Sequence, residues 1–82
     1  MRLPRDISGP DLIHLLARFG YQQARQSGGH VRLTTNRNGE HHVTVPLHDP
    51  LRLGTLTGII GDVATHAGLS HDEVAEQLFG RR

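Results

Sequence analysis

The chain has 82 residues, no cysteine, and nine basic residues, all arginine, against eight acidic ones, for a net charge of +1. Disulfide staples, thiol catalysis and thiolate metal sites are thereby excluded, and so weak a charge does not by itself identify a nucleic-acid binder. The length accommodates one domain, residues 1–82, with a thin core, because only Phe19, Tyr21 and Phe79 are aromatic.

Behind Met1–Asp6 there is no apolar run long enough for a signal peptide or membrane span, so a cytoplasmic protein without membrane contact is expected. Ser8 and Asp11 form a capping-box-like start, with Gly9 and Pro10 in the first turn. Leu12, Leu15, Leu16 and Phe19 recur at helical spacing, Ile13 widens the stripe, and Gly20 is placed to end the helix in a left-handed conformation. This predicts a first helix over residues 9–19. A short strand over 21–26 follows and ends at Ser27-Gly28-Gly29.

Two segments of alternating apolar and polar residues come next, His30–Thr35 and Glu40–Pro46. For Val31 and Leu33 to share a buried face with Val43 and Val45, paired residue numbers must sum to an even number. A sum of 76 sets Leu33 opposite Val43 and Val31 opposite Val45, with Arg37-Asn38-Gly39 as the loop and Gly39 left-handed. The other face then displays His30, Arg32, Thr34, His42 and Thr44, while His41 points away from it.

Pro46 ends the third strand, and a loop over 47–54 leads to a second helix with Leu56, Ile59, Ile60, Val63 and Ala67 as its stripe. Gly68 ends that helix. A capping box of Ser70 and Glu73 opens a short third one, with Val74, Leu78 and Phe79 inward. The fold class is α+β in two layers: helix, three-stranded antiparallel sheet, helix and short C-terminal helix, with one sheet face covered and one open. Arg2, Arg5, Arg18, Arg25, Arg32 and Arg37 fall in the first half and Asp62, Asp72, Glu73 and Glu76 in the last third, so one end is locally basic.

Ser27-Gly28-Gly29-His30 is the candidate site. Glycines let another molecule approach the backbone, and imidazole transfers protons near neutral pH. Taken without context, a lone strand histidine such as His30 is more often an exposed polar residue than a catalytic one. Arg32, two residues on, holds a phosphate or is simply solvated, and the same alternatives stand for Arg25, Arg5 and Arg37. His42, diagonal to Arg32, is a candidate second acid or base. His14, His66 and His71 read as exposed helix or cap residues. His41 and His42 lie on opposite strand faces, and no HExxH or other metal-ligand spacing occurs, so no metal or other cofactor is expected.

Several motifs in order carry a family resemblance over nearly the whole chain: Ser8-Gly9, Phe19-Gly20-Tyr21, Arg25-Gln26-Ser27-Gly28-Gly29-His30, Val43-Thr44-Val45-Pro46-Leu47-His48, Gly54-Thr55-Leu56 and Ala67-Gly68-Leu69-Ser70. Together they resemble the HicA (YcfA-like) family, the mRNA-interferase toxins of toxin–antitoxin pairs. The resemblance implies a fold like the double-stranded-RNA-binding domain and an endoribonuclease that blocks translation, and the lack of metal-ligand spacing makes it a metal-independent one. The resemblance implies His30 as the single essential histidine, Gly29 as the middle residue of the family's Gly-Gly-His triplet and His48 as a structural or auxiliary residue of the Val-Pro-x-His pattern. It also implies a HicB-like antitoxin that covers the His30 surface and makes any operator-DNA contact. From the residues themselves, Gly28, Gly29, Arg25, Arg32 and His42 are the candidate RNA contacts. Two other readings of the same chain are a non-catalytic RNA-binding module and a domain that binds only its protein partner.

Overall fold

Ser8 stops the backbone from extending and starts a helix. Its hydroxyl accepts from the Asp11 N–H at 3.1 Å, and the Asp11 carboxylate accepts from the Ser8 N–H at 3.4 Å. In the computed structural model, which describes residues 3–80, helix α1 runs over Gly9–Leu16 and tightens into a 3-10 turn over Ala17–Phe19. The tightening is how the last turn reaches Gly20, whose φ of 85° ends it. Arg2, counted above among the basic residues, lies outside the described residues.

Strand β1 spans Gln22–Ser27, β2 His30–Thr35 and β3 His41–Pro46, in the antiparallel order β1-β2-β3. Val31 faces Val45 and Leu33 faces Val43, the register expected from burial. The β2–β3 loop is wider than expected, because the last pair is Thr35 with His41 and Glu40 is outside the ladder. Asn38 at φ 58° and Gly39 at φ 98° both turn left-handed there.

Strand β1 contains a feature that the alternation did not announce. Ser27 pairs with His30 and Arg25 with Arg32, but Gln23 pairs with Leu33 and Gln22 with Thr34, so an extra residue is accommodated between Gln23 and Arg25. In a regular strand Tyr21 and Arg25 would share a face. The bulge lets Tyr21 enter the core at 3 % exposure while Arg25 stays on the open side.

Helix α2, Leu53–Ala67, begins before the expected loop ends and buries Leu56, Ile59, Ile60, Val63 and Ala64, with Ala67 only half-buried. Helix α3, His71–Phe79, starts at the Ser70–Glu73 capping box and buries Val74, Ala75 and Leu78, with Phe79 packed at the margin. Both helices and α1 cover the Val31, Leu33, Val43 and Val45 face, giving two layers with one open sheet face. Among the described residues Ser8 and Thr35 are the buried polar ones, and both are satisfied, Ser8 in its capping box and Thr35 by donating its hydroxyl to the Phe19 carbonyl at 3.1 Å and accepting from the Arg37 N–H at 3.2 Å.

Gly9 marks the tightest packing. A Cβ there would collide with the Pro46 carbonyl oxygen and the Leu47 backbone, neither of which can swing aside like a side chain. Gly9→Ala should therefore destabilise the fold by about 1–3 kcal/mol, read as a lower urea midpoint at unchanged slope.

Candidate functional site

A hairpin of two glycines positions His30. Gly28 takes φ 59° while Gly29 stays outside the left-handed region, as at the first and second central positions of a type II′ turn. The turn is fastened from outside. The Leu47 N–H donates to the Gly29 carbonyl at 2.7 Å, the Gly9 N–H to the His48 carbonyl at 2.8 Å, and the Leu51 N–H to the Ile7 carbonyl at 2.8 Å. The start of α1, the end of β3 and the β1–β2 turn thus meet at the His30 end of the sheet. His30 itself is exposed, and its ring makes no hydrogen bond with a described residue. A Cβ at Gly28 or Gly29 would meet nothing within 4 Å, so the space above the turn is open.

Three cross-strand rows make up the open face. Ser27, His30 and the buried Pro46 form the first, Arg25, Arg32 and Thr44 the second, Gln22, Thr34 and His42 the third. His42 is held on both sides. Its Nε2 lies 2.8 Å from Glu40 Oε2, and its Nδ1 lies 2.8 Å from Thr34 Oγ1. The carboxylate accepts, so Nε2–H donates to it, and in the neutral ring Nδ1 accepts from the Thr34 hydroxyl. Four strand residues separate the His30 and His42 rows, roughly 13 Å at 3.3 Å per residue. The two imidazoles do not reach one phosphodiester group, which removes the geometric basis for His42 as the second acid or base at His30. His48 fastens its loop through its backbone carbonyl, not its ring, which is exposed.

The far end of the sheet is built differently. His41 and His66 stack with centroids 4.3 Å apart, and His41 Nδ1 shares a 2.7 Å hydrogen bond with the Tyr21 hydroxyl. His66 Nε2 carries its proton, since it donates to the carbonyls of Arg37 at 2.7 Å and Gly39 at 3.0 Å. His66 is therefore a half-buried tie between α2 and the β2–β3 loop, and the reading of it as a plain exposed helix residue is corrected. Arg18 and Arg37 are likewise engaged: Arg18 donates to the Gln77 carbonyl at 2.6 Å, and Arg37 to the Arg18 carbonyl at 2.8 Å. A cleft of about 210 Å³ lies among Arg18, Arg37, Tyr21 and His66, at the opposite end of β2 from His30.

Sequence reasoning located His30, Arg32 and His42 on one face, and the strand registers bring Arg25 to it as well. Arg37 lies away from that face, in the far loop, and Arg5 precedes α1, outside the strands that form it. The Glu40–His42–Thr34 chain was missed. Its only trace in the sequence is a carboxylate two residues before a strand histidine. Among the described residues no group of three or more histidine, aspartate or glutamate side chains is arranged to hold a metal ion, and no helix is long and apolar enough to cross a membrane.

A family model described as the HicA toxin of bacterial toxin–antitoxin matches residues 9–69, from the start of α1 to just past α2. No curated protein and no solved structure matches the chain.

The Tyr21–His41 pair sets a pH signature. Burial, and to a lesser extent the Asp62 carboxylate, push the Tyr21 hydroxyl from 10.0 up to about 12. Burial first, then the neighbouring His66, hold His41 below its ordinary 6.5, with Asp62 opposing and His42 adding to the lowering. Both groups are favoured neutral in the folded chain. Stability from His41 is full above pH 6.5 and is lost as pH falls through that value toward the lower folded one. Stability from Tyr21 is full below pH 10 and is lost between 10 and about 12. Denaturation midpoints across pH should fall on both sides, with His41→Asn flattening the acid limb and Tyr21→Phe the alkaline one.

Proposed function

The chain belongs to the HicA toxin family, and from that premise we propose that it is an endoribonuclease that cuts mRNA and so blocks translation in the cytoplasm. The observation that carries this reading is His30: a free imidazole on a fastened hairpin, on the open face, with clear space over Gly28 and Gly29. RNA supplies its own nucleophile. His30 removes the proton of the ribose 2′-hydroxyl, the 2′-oxygen attacks phosphorus, the bond to the 5′-oxygen breaks, and the departing oxygen takes a proton from water. No metal is required for any of these steps.

Arg25, Arg32 and the glycine backbone contact the RNA around the scissile phosphate, and the His42 row contacts it farther along. His48 supports the site as an auxiliary residue by fastening the loop beside the turn. A HicB-like antitoxin neutralises the toxin by covering the His30 face, and operator DNA is bound only through that antitoxin. A face with an unpartnered catalytic base and two unpaired guanidiniums is chemically suited to such a cover.

Incubating the purified chain with RNA in EDTA tests the reading directly. Cleavage should proceed, and His30→Ala should slow it by about 10²–10⁴-fold while the far-UV spectrum and melting temperature are kept. Equal cleavage by His30→Ala and the parent would overturn the assignment. Gly29→Ala is informative because it meets no protein atom and needs no left-handed backbone. It should fold normally and cut RNA more slowly, since the added methyl occupies the approach path.

A further inference from the structure

We infer that Arg25 and Arg32 form a two-guanidinium clamp for a single phosphate, the neighbour of the one at His30, so that an RNA strand runs along β2. The inference rests on the RNA reading above and adds to it the path of the strand. Arg25 and Arg32 are direct cross-strand partners on the open face. Such partners have Cβ atoms about 4.5–5.5 Å apart, and like charges so placed destabilise a sheet.

Nothing in the described protein relieves the repulsion. Both residues are exposed, and neither side chain makes a hydrogen bond or ion pair with a described residue. Glu40, whose carboxylate lies against this face, is taken by His42, and Asp11 and Glu73 are taken by their capping boxes. A bridging phosphate dianion or diester turns the repulsion into two charge-assisted contacts, for which the planar guanidinium fork is better shaped than an ammonium.

The bulge between Gln23 and Arg25 supports the same conclusion. It holds Arg25 opposite Arg32 although Tyr21, four residues earlier, must face the core. Along β2, Arg32 lies two residues from His30 on the same face, on the order of 7 Å away. That is the scale of one nucleotide of extended backbone, so one strand can set adjacent phosphates at His30 and at the clamp.

The test uses Arg25→Gln, Arg32→Gln and the double variant of the full chain. In phosphate-free buffer each single variant should melt higher than the parent, because the repulsion is gone. Inorganic phosphate should raise the parent's melting temperature and leave the variants' unmoved. For RNA cleavage, each single variant should keep the parent's slope of log kcat/KM against log salt, because the remaining guanidinium still neutralises the shared phosphate. The double variant's slope should fall by about 0.7, since the phosphate contact is then lost. Slopes that fall in each single variant and add in the double variant would mean two separate phosphates and overturn the clamp. A parental slope in the double variant, or parental melting temperatures in the variants, would overturn it as well. If the parent cuts no RNA, the nuclease reading fails, while the phosphate-dependent melting still decides the clamp.

Discussion

Everything functional on this molecule depends on the pairing of β2 with β3. Val31 opposite Val45 and Leu33 opposite Val43 is the register that buries all four side chains under the helices. A slip of one residue would expose them and turn His30, Arg32 and Thr34 inward, where an unpaired arginine is costly. The hydrophobic effect thus orients the polar chemistry. The open face has its composition because the other face cannot tolerate it.

The two ends of the sheet divide the work. At the far end the polar side chains are absorbed by the protein itself: Thr35, Arg18, Arg37 and His66 satisfy carbonyls left over at the end of α1, the end of α3 and the β2–β3 loop. At the His30 end the backbone makes the connections, through Gly9, Gly29, Leu47 and His48, and the side chains stay unspent. That contrast separates a structural histidine from a candidate functional one more clearly than exposure does. His66 and His30 are both histidines at element ends, and only one has its ring occupied.

The parts of the fold written in short-range rules were legible in the sequence. Ser8 with Asp11 and Ser70 with Glu73 announced two helix starts, Gly20 and Gly68 two helix ends, and the alternation in β2 and β3 the register. What was hidden depends on residues distant in sequence. The β1 bulge follows from Tyr21 needing the core and Arg25 facing away, a conflict visible only once β2 is beside them. The role of His66 depends on carbonyls 27 and 29 residues away. His42 was placed on the correct face, but its engagement by Thr34 and Glu40 needed the side chains of a neighbouring strand and a loop.

Strand β1 carries a consequence for the dynamics of the molecule. All six of its residues are exposed, and it leans on β2 while the helices pack over β2 and β3. Its opening free energy is therefore a fraction of the global one, and its amides belong to the first set to exchange with solvent. One half of the arginine pair sits on this most easily released strand, the other half on the central one. An anion that joins them works as a latch, and substrate occupancy and the order of the sheet edge become one equilibrium.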